Sequence, residues 1–185
     1  MKKKVIYSII IVSVIIILSV AVTYAVYTFS GVVNISGTSE CFDVNYVKGQ
    51  DIGSDSNPAN FVLASTYTEG LSSVIKVNLK DTCTITNGTG TLYLNTDTSV
   101  TSSTLLSGKL LKYQVLDGTT SVGSGVVSSA ENIEIYKDIP ITTTVKTITV
   151  YIWIDGSLVN NDNSNDILSS VYKGNISMSI ESGDK

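Results

Sequence analysis

The sequence predicts an all-β fold: an antiparallel β-sandwich of about seven to ten strands, jelly-roll-like, preceded by one N-terminal apolar helix. Three observations predict it. Beyond residue 25 the chain is rich in Thr, Ser, Val, Ile, Asn and Tyr, with only two prolines, Pro58 and Pro140. β-Branched and aromatic side chains suit a pleated, half-buried surface. Apolar residues recur at every second position in short runs, the period of a strand with one face buried. Gly, Asn and Asp separate those runs as turn signals, and no long helical pattern follows Ser30.

The apolar helix comes first. Lys2, Lys3 and Lys4 precede Val5–Val22, 18 residues without charge, Gly or Pro. As a helix this run is about 27 Å long at ~1.5 Å per residue. Extension to Tyr27 makes it long enough for a bilayer core of about 30 Å. Basic cluster, apolar run and small residues, in that order, form an export signal. The lysines hold the N-terminus on the cytoplasmic side. Because the run exceeds the ~7–15 apolar residues of an ordinary signal peptide, two outcomes stay open. Residues 1–25 are either removed by cleavage between Ala25 and Val26, or retained as a membrane anchor. Residues 26–185 form a single exported domain large enough for a proper core.

The strands follow in order. Val32, Val33 and Ile35 suggest a first strand. Phe42, Val44 and Tyr46 share a face. Ile75, Val77 and Leu79 alternate with Lys76 and Asn78, and a turn is expected at Asn87-Gly88-Thr89-Gly90. Leu92 and Leu94 flank Tyr93. Leu111, Tyr113 and Val115 alternate with Lys112 and Gln114 until Asp117-Gly118. Ile133 and Ile135 alternate with Asn132 and Glu134. The strongest strand is Lys146–Asp155, with Ile148, Val150, Ile152 and Ile154 on one face and Thr147, Thr149, Tyr151 and Trp153 on the other. Both faces are heavy enough to be covered, which predicts a central strand. It stops at Asp155-Gly156. Ile176, Met178 and Ile180, alternating with Asn175, Ser177 and Ser179, make the last strand. Gln50–Asn60 and Asn160–Asn165 read as polar loops.

Composition narrows the function classes. All 16 acidic residues but only nine of the 12 lysines lie after the export segment, a formal net charge of −7 against −4 for the whole chain. The chain has no Arg and no His. Such a surface repels nucleic acid and offers no guanidinium clamp for phosphate or carboxylate. Without His, Ser-His-Asp and Cys-His nucleophile systems and histidine-bearing zinc motifs are excluded. Nothing singles out a glycosidase carboxylate pair, and Gly123 and Gly125 are too isolated for a phosphate loop. No catalytic residue and no cofactor are expected.

Cys41 and Cys83 are the only cysteines. In an oxidising exported setting an even count reads as one disulfide. Its loop of about 42 residues is worth ~4 kcal/mol in the chain-entropy model. Two cysteines cannot close a zinc site. Asp162, Ser164 and Asp166 have the alternate spacing of oxygen ligands for calcium, but Ile167 and Lys173 stand where an EF-hand needs Gly and Glu. The segment therefore reads as a solvated loop, and no metal is expected. Trp153 reads as core or inter-sheet packing. The sequons at Asn34, Asn87 and Asn175 read as ordinary β composition.

Three pieces carry a family resemblance. Thr23-Tyr24-Ala25-Val26-Tyr27-Thr28 resembles the signal-peptide end of the TasA/camelysin-like family of exported Gram-positive surface and biofilm-matrix proteins, with Val22 in place of the family's Gly and Val26 in place of an aromatic. Glu69-Gly70-Leu71, the strand Ile75–Leu79 and Asp81-Thr82-Cys83 are similar to its Glu-Gly-Leu turn, strand and polar turn. Tyr151–Asp155, the Asn-rich loop and Tyr172–Ser177 resemble a late strand-loop-strand of proteins with this signal. The resemblance implies a jelly-roll-like sandwich and a cell-surface or matrix role, in some relatives as fibre subunits. The metallopeptidase activity described for camelysin-like members is not expected without His.

The leading expectation is an exported, non-enzymatic structural or fibre-forming protein of the cell envelope or matrix. Cleavage after Ala25 would free residues 26–36 to add, as a strand, to a neighbour's sheet edge. Self-assembly is then the expected partnership. If the helix is uncleaved, the membrane is a partner as well and the domain stays outside the cell. The second expectation is a membrane-anchored ligand- or carbohydrate-binding sandwich whose loops make the contacts.

Overall fold

A computed structural model describes residues 27–33, 41–48, 63–128, 132–168, 170 and 172–183. The apolar run Val5–Val22, the junction of Ala25 and Val26, and the loop Gln50–Asn60 lie outside these residues. Ten strands are described: β1 (Tyr27–Val33), β2 (Phe42–Lys48), β3 (Leu63–Ala64), β4 (Leu71–Leu79), β5 (Gly88–Thr96), β6 (Leu111–Asp117), β7 (Thr120–Val126), β8 (Asn132–Ile141), β9 (Lys146–Asp155) and β10 (Tyr172–Ser182). Sheet one has the order β1-β10-β5-β8; sheet two has the order β2-β4-β9-β6-β7, with β3 beside β9. The architecture is the all-β sandwich the alternation predicts. Most pairings are antiparallel, but β1 runs parallel to β10 and β3 parallel to β9.

The period of two explains the core. In β4, Leu71, Ile75, Val77 and Leu79 are buried, while Lys76 is exposed. In β9, Ile148, Val150, Ile152 and Ile154 face the same interior, and β9 lies between β4 and β6 as a central strand should. Sheet one answers with Leu92 and Leu94 from β5, Ile135, Ile139 and Ile141 from β8, and Ile176, Met178 and Ile180 from β10. Two short helices, α1 (Ser103–Ser107) and α2 (Ser164–Leu168), each add a core residue, Leu105 and Ile167. Among the described residues no helix is long and apolar enough to cross a membrane.

Two glycines correct the sequence reading. The expected turn at Asn87–Gly90 is instead the start of β5: a Cβ on Gly88 would lie 2.6 Å from the Phe42 ring, so the glycine admits β2's aromatic side chain to the strand. The second is Gly123, in the strand β7 that alternation does not show. A Cβ there would lie 2.2 Å from the Ile135 carbonyl oxygen, because sheet two's β7 closes against sheet one's β8. The first strand is described from Tyr27 to Val33, with Val32 and Val33 in it as expected, and Ile35 lies outside the described residues. The polar loop Asn160–Asn165 ends early, since Ser164 and Asn165 begin α2.

Edge chemistry differs between the two sides of sheet one. Strand β8 carries Pro140 and a bulge at Lys137–Asp138, where Asp138 has φ 53°. Proline and a bulge spoil a ladder for further pairing, and both are tolerated because β8 pairs with β5 on one side only. The opposite edge is β1.

Candidate functional site

The edge formed by β10 and β1 is built as follows. Ile176, Met178 and Ile180 of β10 are fully buried. Strand β5 holds β10 along its length, from Gly174 opposite Thr96 to Ser182 opposite Gly88. The beginning of β10 is clamped on that same side. The Asp97 and Thr101 side of the turn takes both backbone groups of Lys173: Asp97 N donates to the Lys173 oxygen at 2.8 Å, and Lys173 N donates to Thr101 Oγ1 at 3.1 Å. Tyr172 is fully buried, with its hydroxyl 3.3 Å from Thr96 Oγ1. Burial pushes the Tyr172 phenol up to about 12, so it stays neutral. Strand β10 is therefore held on its β5 side by contacts that do not involve β1.

Strand β1 occupies the other side of β10, from Tyr27 opposite Tyr172 to Val33 opposite Met178. The sequence reading frees residues 26–36 to donate a strand only if the chain is cleaved after Ala25. In this structure residues 27–33 pair with the chain's own last strand. The physical reason is that β10 would otherwise present a row of unpaired N–H and C=O groups. Backbone pairing of this kind needs no particular side chain.

Other predicted residues fall elsewhere. Cys41 and Cys83 form a disulfide with Cα atoms 5.6 Å apart. With Lys80 N donating to the Cys41 oxygen at 2.9 Å, it pins the start of β2 to the end of β4. Asp162 is exposed and its N–H donates to Asn160 Oδ1 at 2.9 Å, Ser164 opens α2, and the Asp166 side chain lies outside the described set. Among the described residues no three His, Cys, Asp or Glu side chains gather as for a metal. Trp153 is buried, but on the outer face of sheet two rather than between the sheets. Tyr67, on the turn before β4, covers it with ring centroids 6.5 Å apart and packs edge-on against Tyr151 at 5.1 Å.

Several acids have structural partners. Asp155 pairs with Lys112 and accepts from Ser157 N at 3.0 Å and Ser157 Oγ at 2.6 Å. The hydrogen bonds from Lys112 and then Ser157 hold its carboxyl at about 2. Asp117 accepts from Lys146 at 2.6 Å and from Tyr136 at 3.0 Å. Asp97 accepts from Ser99 Oγ at 2.5 Å, which, with Lys173 3.5 Å away, holds its carboxyl below the ordinary range.

The outer face of sheet one holds a feature that the sequence reading missed. Tyr93, Asn132, Ser177, Met178 and Ser179 line a groove of about 340 Å³. Asn95 stands opposite Asn132 in the ladder, and its Nδ2 donates to Asn175 Oδ1 at 2.6 Å and to Ser177 Oγ at 2.9 Å. Alternation does put Asn175, Ser177 and Ser179 on one face, but which strands flank them is a matter of topology.

No family model matches the chain, and no curated protein matches its sequence.

Proposed function

We propose that this chain is an exported, non-enzymatic structural subunit of the cell envelope or matrix of a Gram-positive bacterium, assembling by strand addition. In the assembled form, β1 of one copy occupies the β10 edge of the next. One observation carries this reading. Strand β1 is held in the sheet by its parallel ladder to β10, whereas β10 is held on its other side by β5 and the Asp97–Thr101 turn. The element that would exchange is thus the one whose departure leaves those contacts in place. Its link to one neighbour repeats head to tail, the arrangement that gives open filaments.

Further features support the setting. The basic-apolar-small order of residues 2–25 directs export. The disulfide suits an oxidising compartment. Strands β4 to β10 cross repeatedly between the sheets, an order that supports the jelly-roll-like reading and the resemblance to TasA/camelysin-like proteins. Removal of residues 1–25 releases a subunit able to donate β1; retention gives a tethered ectodomain.

The test is deletion of residues 26–33 from protein beginning at Val26. The truncated chain should remain folded, fail to form oligomers alone, and bind a synthetic peptide of residues 26–33. Oligomers unchanged by the deletion contradict the reading.

A further inference from the structure

The start of β1 fixes which end of the sandwich lies next to the export segment. Tyr27 stands opposite Tyr172, the first residue of β10. The turn after β5 is at the same end, since its Asp97 and Thr101 hold Lys173. So is the end of β9, because the chain runs from there into β10 and from β5 into β6, whose first residue Leu111 stands opposite Ile154. Strand β3 lies beside that end of β9 as well, with Leu63 opposite Ile154 and Ala64 opposite Asp155.

Large apolar side chains are exposed mainly at this end. Leu63 on β3 is 51% exposed, Val100 in the turn after β5 46%, and Leu158 in the turn after β9 41%. Among the described residues the other such side chain is Val145, between β8 and β9 at the far end. A single exposed leucine is ordinary on a folded domain. Three around one tethered end give that end an apolar character. Lys173 and Lys112 pair there with Asp97 and Asp155, so those carboxylates are offset beside the apolar groups.

Chain length names the occupant. Tyr27 follows Val22, the last residue of the uncharged apolar run, by five residues. Five residues span at most about 18 Å, at ~3.6 Å each. The headgroup layer of a bilayer uses about 5–8 Å of that reach. A retained apolar helix therefore holds this end of the sandwich against the lipid surface. Val145 stands the length of β9 farther out, about 33 Å for ten residues. We propose that, in the membrane-retained form, Leu63, Val100 and Leu158 rest on the lipid surface and stand the sandwich upright on it. The inference rests on retention of residues 1–25 as an anchor. Its occupant is a neutral lipid surface, for which no basic patch is needed; apolar contact and the tether supply the attraction.

The test uses the full chain reconstituted in phosphatidylcholine vesicles. Ser65→Cys, just after β3, and Val145→Cys each add one free thiol at an exposed position, the native cysteines being bonded to each other. Each is labelled with an environment-sensitive fluorophore, and quenching by headgroup nitroxide lipid is measured. The label at 65 should be quenched and the label at 145 should not. Adding Leu63→Ser, Val100→Ser and Leu158→Ser, all at exposed positions, should lower quenching at 65 at least about twofold. A chain that does not float with the vesicles overturns the anchor and the inference with it. A floating chain quenched equally at both positions, or not at 65, overturns the upright contact alone. Quenching at 65 unchanged by the three serines overturns the apolar contact.

Discussion

The Tyr136 hydroxyl, on β8 of sheet one, donates to Asp117 Oδ2, on β6 of sheet two, at 3.0 Å. This bond ties the sandwich across its two layers, where most contacts are apolar. Lys146 of β9 donates to the same oxygen at 2.6 Å, so the carboxylate stays paired if the tyrosine is lost. Tyr136→Phe should therefore cost only about 1 kcal/mol in urea unfolding at neutral pH. A cost beyond about 3 kcal/mol would mean the tie does more than the geometry indicates.

The same bond sets an alkaline limit. Burial, and then the Asp117 carboxylate, push Tyr136 up to about 12. A phenol with a raised folded pKa stabilises fully below its unfolded value of about 10 and loses that contribution as pH rises through about 12. Tyr172 behaves likewise through burial. Stability should fall between pH 10 and 12, and less steeply in Tyr136→Phe. Equal slopes in the two proteins would contradict this.

Asp155 sets the acid side. Hydrogen bonds from Lys112 and Ser157 hold it at about 2, below its ordinary 3.8. A depressed carboxyl stabilises fully above its unfolded pKa and loses that contribution as pH falls through the folded one. Asp155→Asn should flatten the loss of stability between about pH 4 and pH 2, measured by urea midpoints across that range. Lys112→Met should raise the carboxyl's titration midpoint by NMR.

The disulfide constrains an edge. Replacing Cys41 and Cys83 with serine should cost about 2–5 kcal/mol in equilibrium unfolding, the range for a native disulfide in a small exported domain. Hydrogen exchange should rise first in β2, which the disulfide pins to β4. Uniform exchange across both sheets would place the effect in the unfolded chain alone.

Gly88 and Phe42 are coupled by contact. A methyl group on Gly88 would sit 2.6 Å from the Phe42 ring, which is only 3% exposed. Gly88→Ala should destabilise by about 1–3 kcal/mol. Phe42→Leu, which removes the ring edge, should recover part of that loss in the double variant. Additive costs would show that the ring is not the obstacle.

Much of the sandwich was legible because its strands keep a period of two. Lys146–Asp155 showed both its extent and its central place, since each face carries large side chains. Strand β7 was hidden because Thr-Ser-Val-Gly-Ser-Gly-Val has no apolar alternation, and its Gly123 is dictated by a carbonyl on another strand. Asn87-Gly88 resembled a hairpin turn, yet that glycine answers a distant ring. Trp153 was legible as buried, but its cover, Tyr67, comes from the turn before β4, and nothing in that turn's residues ties it to Trp153. The pairing of β1 with β10 joins the two ends of the described chain, and a ladder made of backbone groups leaves no signature in residue types. Asn95 and Asn132 escaped notice for the same reason: each is an ordinary strand residue until topology sets them side by side.

The central claim is that β1 of one copy pairs with β10 of another. Thr28 and Lys173 are register partners across that ladder, at a strand spacing of about 4.8 Å that a disulfide can span. Two variants of the chain beginning at Val26, one Thr28→Cys and the other Lys173→Cys, should be mixed under assembly conditions and oxidised. Strand addition predicts a disulfide-linked dimer of the two variants in the mixture and none from either variant alone. If the mixture stays monomeric while a single chain carrying both cysteines closes within itself, β1 belongs permanently to its own sheet and the assembly mechanism is wrong.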